Sequence, residues 1–179
     1  GGCNYYDDGS VIDVLVVYTA AARLNNFSND IDAYIRANVD TMEQLLKNSR
    51  VLPRIRVVHT EEVAYDESSV NNNTTTDRLL DATDGYLDGV HALRDNYHAD
   101  LVVLFTKCIN CGGTAACNRG DQYILQDYGG FAVISSDWDT AFAWGLGHEL
   151  VHTMGCGHNR DAESSPGIPR NCRAYPYSY

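Results

Sequence analysis

Positive charge and long apolar segments are both scarce in this sequence. Lys and Arg together number 13 against 24 Asp and Glu, which gives a formal net charge of -11 at pH 7. Because nucleic-acid binding depends mainly on Lys and Arg contacts with phosphates, this balance argues against a nucleic-acid partner. The sequence contains no run of about 18 or more apolar residues, so no segment is predicted to span a membrane.

Internal repeats, low-complexity stretches and a linker between domains are also absent from the sequence. The 179 residues fit one domain, and a domain of this size buries about 70% of its unfolded surface. We therefore predict a single domain over residues 1–179. The start at Gly1-Gly2-Cys3 is typical of a mature product from which a leader and a propeptide have been removed.

The cysteines predict an oxidising environment. There are six, and three disulfides are the simplest interpretation, which implies secretion. The pairing stays open, although a bond between Cys156 and Cys172 would close the loop after the motif described next. Cys108 and Cys111 could instead form half of a structural zinc site, for which only Cys117 is a nearby further ligand. A redox role for the same pair is disfavoured, because the flanking segments lack the expected motif at a helix start.

The segment from residue 148 to residue 158 reads His-Glu-Leu-Val-His-Thr-Met-Gly-Cys-Gly-His. On a helix, His148 and His152 lie four residues apart on one face, so both imidazoles can reach one metal ion. Glu149 is rotated by about 100° from His148 and can face a water on that metal. Gly155 can take a positive φ and end the helix, after which the chain turns back and brings His158 to the same ion. Three His ligands leave a tetrahedral zinc one open position, which is the catalytic arrangement.

This motif, His-Glu-x-x-His-x-x-Gly-x-x-His, resembles the zinc signature of the metzincin metallopeptidases. With the following Asn-Arg-Asp it looks most similar to the microbial reprolysin-like and peptidyl-Asp metalloendopeptidase branch, and the resemblance extends through the order of elements from about residue 11 to residue 158. One departure is Asn159, which stands where many metzincins have Asp. The resemblance implies a metzincin-like catalytic domain.

The resemblance also implies a Met-containing turn beneath the zinc, downstream of His158. No Met follows Met154, which lies inside the motif and is interpreted as a packing residue. We therefore expect a cleaved or truncated product that lacks the C-terminal Met-turn segment, which a separate fragment would supply; the alternative is that the turn is dispensable. In some related enzymes a tyrosine stabilises the oxyanion, and the candidates here are Tyr175, Tyr177 and Tyr179.

Hydrophobic periodicity predicts an α/β fold of the α+β zincin type. Three β-branched runs alternate with amphipathic helical patterns, so these three strands should be parallel in one twisted sheet. Strands are predicted at 11–18, 54–63, 101–105 and 130–135, helices at 30–48, 77–97 and 138–154, and a loop at 66–76 with Thr76 as N-cap. We expect a mixed sheet of about five strands, backed by two long helices and the active-site helix.

The resemblance implies that the segment Gly113, Thr114, Ala115 and Ala116 is an antiparallel edge strand that lines the cleft. Such an edge would hold a peptide substrate by main-chain hydrogen bonds. The residues alone leave open a plain disulfide loop.

Several other polar residues are interpreted as surface features. Three Asn-x-Ser/Thr sequons mark the surface, at Asn26, Asn72 and Asn73. Four aspartates could offer oxygens to calcium, but their spacing matches no calcium loop; they are Asp7, Asp8, Asp137 and Asp139. The thiolate of Cys3 could cap the zinc in a latent form, although pairing with another cysteine is the simpler interpretation.

Together these observations predict a secreted, zinc-dependent endopeptidase that acts on peptide or protein substrates. The zinc held by His148, His152 and His158 would activate a water, and Glu149 would be the general base. The alternative is a non-catalytic, zinc-stabilised peptide-binding module or processed fragment, which the lack of a Met-turn favours.

Overall fold

The computed structural model describes residues 10–25, 30–107, 112–116, 129–136, 145–154, 156 and 158. Within these ranges the chain forms five strands and five helices. The strands are β1 (Val11–Thr19), β2 (Arg54–Val63), β3 (Leu101–Thr106), β4 (Gly113–Ala115) and β5 (Phe131–Ser135). The helices are α1 (Ala20–Asn25), α2 (Ile31–Asn48), α3 (Asn72–Leu80), α4 (Gly89–Asn96) and α5 (Gly145–Thr153).

The strands form one sheet in the order β2-β1-β3-β5-β4. β1 pairs in parallel with β2 and β3, and β3 pairs in parallel with β5. β4 runs antiparallel to β5 at the edge of the sheet, with Thr114 opposite Val133. The predicted mixed sheet of five strands with an antiparallel edge is therefore confirmed.

Helices cover both faces of the sheet, because alternate residues of the central strands point to opposite sides. On one face, Val14, Val16 and Phe105 pack with apolar residues of α2 and α5, among them Ile35, Met42, Leu146 and Leu150. On the other face, Leu15, Val17 and Phe131 pack with Leu79 of α3 and Val90 of α4. The sheet thus separates α5 from α3, and this separation matters for the site.

The region from 66 to 97 differs from the prediction at its start. Helix α3 begins at Asn72 inside the predicted loop, and its N-cap is Asn71, whose side chain accepts a hydrogen bond of 2.9 Å from the backbone N–H of Thr74. Thr76 lies within the helix and is buried, so the prediction of Thr76 as N-cap is wrong. Asn71 satisfies an otherwise unpaired N–H of the first turn, and this sets the earlier start.

The predicted single helix over 77–97 is also wrong, because a turn divides it into α3 and α4. The Asp81 carboxylate accepts hydrogen bonds from the backbone and hydroxyl of Thr83. Gly85 has a φ of +85° and donates its N–H to the carboxylate of Asp88. α3 ends at Leu80 because Asp81 has an extended backbone, and the local side-chain bonds and the positive φ of Gly85 keep the following residues out of a helix.

Two smaller differences remain. Helix α1 was not predicted; it follows β1 directly, with the hydroxyl of Thr19 accepting a hydrogen bond from the N–H of Ala22. The active-site helix is described from Gly145 onward, and the first part of its predicted range, 138–144, lies outside the described residues. No helix within the described ranges is long and apolar enough to cross a membrane.

Candidate active site

Helix α5 carries the first part of the motif and is anchored by the core. Leu146 and Leu150 are buried among residues of the sheet and α2. A Cβ on Gly147 would lie 2.7 Å from the sulfur of Met42, so the absence of a side chain lets α5 approach α2 closely. This packing leaves His148 partly exposed and buries Glu149 and His152.

Three imidazole nitrogens converge at the end of this helix. The Nε2 atom of His152 lies 3.0 Å from Nε2 of His148 and 3.1 Å from Nε2 of His158. The Nε2 atoms of His148 and His158 are 3.3 Å apart. This is the single cluster of three or more potential metal-ligating side chains found in the described part of the chain. The motif spacing therefore brings the three predicted histidines to one point.

A hydrogen bond to the backbone determines which ring nitrogen of His152 carries the proton and which one presents a lone pair to the other two histidines. Its Nδ1 lies 2.6 Å from the carbonyl oxygen of Cys156. A carbonyl can only accept, so Nδ1 carries the proton and Nε2 is left as an acceptor. The Cys156 N–H in turn donates to the carbonyl of Val151, which holds the returning chain against the helix. Gly155, predicted to end the helix, lies outside the described residues.

The surroundings of His148 favour its neutral form. Burial, followed by the neighbouring His152 and His158, lowers the pKa of His148 to about 4. His148 is therefore neutral at pH 7, which is the form that binds a metal ion. Three imidazole nitrogens around one point, with the Nδ1 proton of His152 turned away toward the Cys156 carbonyl, make an arrangement suited to a cation.

Glu149 lies beside the cluster beneath the edge strand. It is 3% exposed, and burial raises the pKa of its carboxyl to about 8. A group that takes up and releases a proton during catalysis is most effective when its pKa lies near the working pH. A Cβ built on Gly113 of β4 would overlap the Glu149 carboxylate. The carboxylate therefore occupies the space that a side chain at position 113 would need.

The predicted edge segment is only partly next to this carboxylate. Gly113, Thr114 and Ala115 form β4, and the N–H of Ala116 donates to the carbonyl of Phe131. Thr114 faces the opposite side of the sheet, where its hydroxyl lies 3.4 Å from Oδ1 of Asn73. The segment forms an edge strand and not the plain loop that the residues alone left open. The role of these residues in binding a peptide stays a prediction.

Replacing Gly113 with Ala tests this close approach. The added methyl group displaces the Glu149 carboxylate, and we expect kcat/KM for peptide cleavage to fall by about tenfold or more, because small misplacements of reacting groups are costly. The matched control is Gly89→Ala, where a Cβ would meet nothing within 4 Å. Metal content and peptide cleavage should be measured together. Unchanged cleavage by the Gly113 variant would show that the carboxylate does not need this space.

Sequence reasoning placed one important residue wrongly. Asn72, interpreted as a surface marker, is 5% exposed, whereas Asn73 is exposed as predicted. The amide of Asn72 donates to the carbonyl of Gly112, next to the edge strand. The sequon gave no indication of this contact, and the helical spacing of Asn72 with the buried Leu79 is the signal that would have revealed it.

Other predictions fall on residues that the structure does not describe. They include Asn26, the four aspartates considered for calcium, the three C-terminal tyrosines and five of the six cysteines. Cys156 is the one described cysteine, and its thiol is free. No disulfide is found in the described part of the chain, and Cys172, the suggested partner of Cys156, lies outside the described residues.

The fold is a mixed sheet with an antiparallel edge strand. Two histidines of the helix beneath it converge with a third histidine that follows the helix. These features define a candidate metalloprotein of the α/β class. A family model described as Metallo-peptidase family M12 matches residues 8–178. The chain therefore belongs to Metallo-peptidase family M12, and membership of this family implies a metal ion. The resemblance stated from the motif is confirmed.

Named relatives agree with this assignment. A peptidyl-Asp metalloendopeptidase of Pseudomonas aeruginosa is 28% identical over 179 residues, which cover 94% of this chain and 29% of that protein. A peptidyl-Asp metalloendopeptidase of Stenotrophomonas maltophilia is 29% identical over 172 residues, which cover 95% of this chain and 38% of that protein. The chain thus spans well under half the length of these relatives.

Solved structures share the fold. Metalloproteinase-II from Bacteroides fragilis matches with a TM-score of 0.54 and 13% identity, over 88% of this chain and 45% of that one. A chain in a structure of a chaperone-substrate complex matches with a TM-score of 0.64 and 19% identity, over 84% of this chain and 27% of that one. At these identities the likeness concerns the fold alone.

Proposed function

We propose that the protein is a zinc-dependent endopeptidase in which His148, His152 and His158 bind the metal ion and Glu149 is the general base. The observation that carries the proposal is the convergence of three Nε2 atoms within 3.3 Å of one another, beside a buried carboxylate on α5, the helix that carries two of the three histidines. The family and the names of the relatives support the same class of reaction.

The donor set fits zinc. In tetrahedral sites zinc binds imidazole nitrogens at about 2.0–2.1 Å, which places the nitrogens of two ligands about 3.3–3.4 Å apart. The observed separations of 3.0, 3.1 and 3.3 Å are close to this value. The hydrogen bond from Nδ1 of His152 to the Cys156 carbonyl is the kind of outer contact that orients a metal-binding imidazole. Within the described residues the cluster consists of three imidazole nitrogens, and a set of three nitrogen ligands matches a catalytic centre better than a closed structural one.

In the proposed hydrolysis the metal ion and Glu149 have different roles. When bound, a zinc ion supplies Lewis-acid chemistry, because it makes water acidic near neutral pH and polarises the carbonyl of the scissile peptide. The Glu149 carboxylate accepts the proton of the attacking water and delivers it to the nitrogen of the leaving amine. Its burial beneath β4 excludes bulk water from this proton.

The free edge of the sheet offers a means of binding the substrate. β4 pairs with β5 on one side, and an extended peptide bound along its other side would form main-chain hydrogen bonds with Gly113 and Ala115. Gly113 lies against Glu149, so a peptide on this edge would pass next to the proposed base. We also propose that the protein is secreted, which the six cysteines and the acidic composition support.

Removal and return of the metal tests the proposed activity. Cleavage of a denatured protein substrate should stop when a chelator strips the purified protein, and it should return on addition of one equivalent of zinc but not of calcium. The fragments should be identified by mass spectrometry, and the intact mass of the protein recorded. Zinc-loaded protein that binds a peptide without cutting it would contradict the proposal in favour of the peptide-binding module.

A further inference from the structure

Two groups of hydrogen bonds lie where the central strands end, one at Lys107 and one at the adjacent Thr106, and the second group reaches the segment before the edge strand. The first group is centred on Glu67, a residue that follows β2 in the chain. Glu67 is 6% exposed. The Oε1 atom of Glu67 accepts a hydrogen bond of 2.5 Å from the hydroxyl of Thr19, the last residue of β1. The same oxygen accepts a bond of 3.0 Å from the N–H of Lys107, directly after β3. Glu67 therefore holds the ends of β1 and β3 together.

The second group of hydrogen bonds is centred on Asn72, the first residue of α3. Its Nδ2 donates to the carbonyl of Gly112, and its Oδ1 lies 3.4 Å from the hydroxyl of Thr106 at the end of β3. The carbonyl of Gly112 can only accept, so the amide nitrogen must face it and the amide oxygen must face Thr106. The two contacts therefore use the amide in one defined orientation.

Asn72 itself is held firmly by α3. The residues 72, 75, 76 and 79 share one buried face of the helix, with Leu79 in the core beneath the sheet. The neighbouring Asn71 caps the helix through the N–H of Thr74. Asn72 therefore projects from a fixed support and is the point at which α3 contacts the segment leading into β4.

The contact between Asn72 and Gly112 affects the position of the edge strand β4. The Gly112 carbonyl also accepts a bond of 3.4 Å from the N–H of Ser135, at the end of β5. The next residue, Gly113, begins β4 and lies against Glu149. An amide that fixes Gly112 thus fixes the end of β4 nearest the proposed base, and it does so from the face of the sheet opposite to α5.

We propose that Asn72 is a positioning residue for peptide binding, acting through the Gly112 carbonyl to hold β4 where an extended substrate can pair with it. This inference rests on the proposed endopeptidase function. Its side chain bonds to Gly112 and Thr106, and the proposed role requires no contact with the histidines or with the substrate. Main-chain bonds from an edge strand form with the substrate in both the ground state and the transition state, so their weakening raises KM more than it lowers kcat.

The test replaces Asn72 with Asp, which keeps the shape of the side chain and removes the donor to Gly112. We expect KM for a peptide of about eight residues to rise about tenfold, with kcat changed by less than about threefold and zinc content unchanged. The matched control is Asn71→Asp, which makes the same change in charge one residue earlier on an exposed side chain and preserves the helix cap. The control should leave KM unchanged.

A second measurement does not depend on cleavage. The Asn72→Asp change is placed in a Glu149→Gln background, and the affinity of the zinc-loaded protein for the same peptide is measured by calorimetry. The affinity should be about tenfold weaker than that of the Glu149→Gln protein alone. If Asn72→Asp does not fold, Thr106→Val serves as the second variant, because it removes the hydroxyl that orients the amide, and it should change KM in the same direction.

The outcomes are distinct for the two proposals. Equal peptide affinity with and without the Asn72 change would overturn the positioning role while leaving the endopeptidase function intact. A loss of zinc in parallel with the rise in KM would also overturn it, since the effect would then be a general loss of structure. Absence of cleavage by the unaltered zinc-loaded protein would instead contradict the proposed function, and the calorimetric comparison would still decide the role of Asn72.

Discussion

Replacement of Glu149 with Gln is expected to leave the metal content of the protein unchanged while peptide cleavage falls by about 10²- to 10⁴-fold. Gln has nearly the shape of Glu, so it fits the same buried space against Gly113. It cannot accept a proton from water, so hydrolysis would lose the proposed general base. The three imidazoles proposed as metal ligands do not depend on this carboxylate.

The measurement combines metal analysis with cleavage of a fluorogenic peptide. A suitable control is Glu61→Gln, which makes the same chemical change on an exposed residue of β2. Full activity of the Glu149 variant would exclude this residue as the base. Loss of metal from the variant would assign Glu149 to the metal site itself.

Removal of the third imidazole should have an effect of similar size. His158→Ala leaves His148 and His152 on an intact helix but opens the cluster on the side of the returning chain. Changes to groups that merely support a ligand cost about 10- to 100-fold in metal affinity or activity, so loss of a ligand should cost more than about 100-fold in zinc affinity. Peptide cleavage should fall with the bound zinc.

Zinc affinity is measured by competition with a chromophoric chelator, and cleavage is measured at limiting and at excess zinc. The control is His59→Ala, which removes an imidazole that stacks on Tyr97 far from the cluster in sequence. Undiminished zinc affinity in the His158 variant would mean that two histidines suffice, and the proposed ligand set would have to be revised.

The local parts of the site could be predicted because they follow from helix geometry. Residues four apart on a helix share a face, so His148 and His152 converge wherever that helix forms. The β-branched runs that became β1, β2 and β3 carry a similarly strong local signal. The local signal for the start of α3 was weak, because its first turn is made of Asn and Thr, which have low helix propensity. That helix is stabilised by its cap and by the burial of Leu79, and burial is a property of the whole fold.

Contacts between distant parts of the chain could not be predicted in the same way. Asn72 and Gly112 are 40 residues apart, and nothing in either segment indicates the other. The overlap between a Cβ at position 113 and the Glu149 carboxylate likewise depends on the edge pairing of β4 with β5. The edge strand itself was expected only through resemblance to a family, since the glycines alone were compatible with a loop.

The sheet divides the site into two halves that are supported from opposite faces. His148, His152 and Glu149 project from α5, which packs on the face formed by Val14, Val16 and Phe105, whereas Asn72 approaches from the α3 face. Affinity for the metal and affinity for the peptide should therefore be separable quantities in this scaffold. Under the two proposals, substitutions along the buried face of α3 would change the affinity for the peptide while the metal centre keeps its composition.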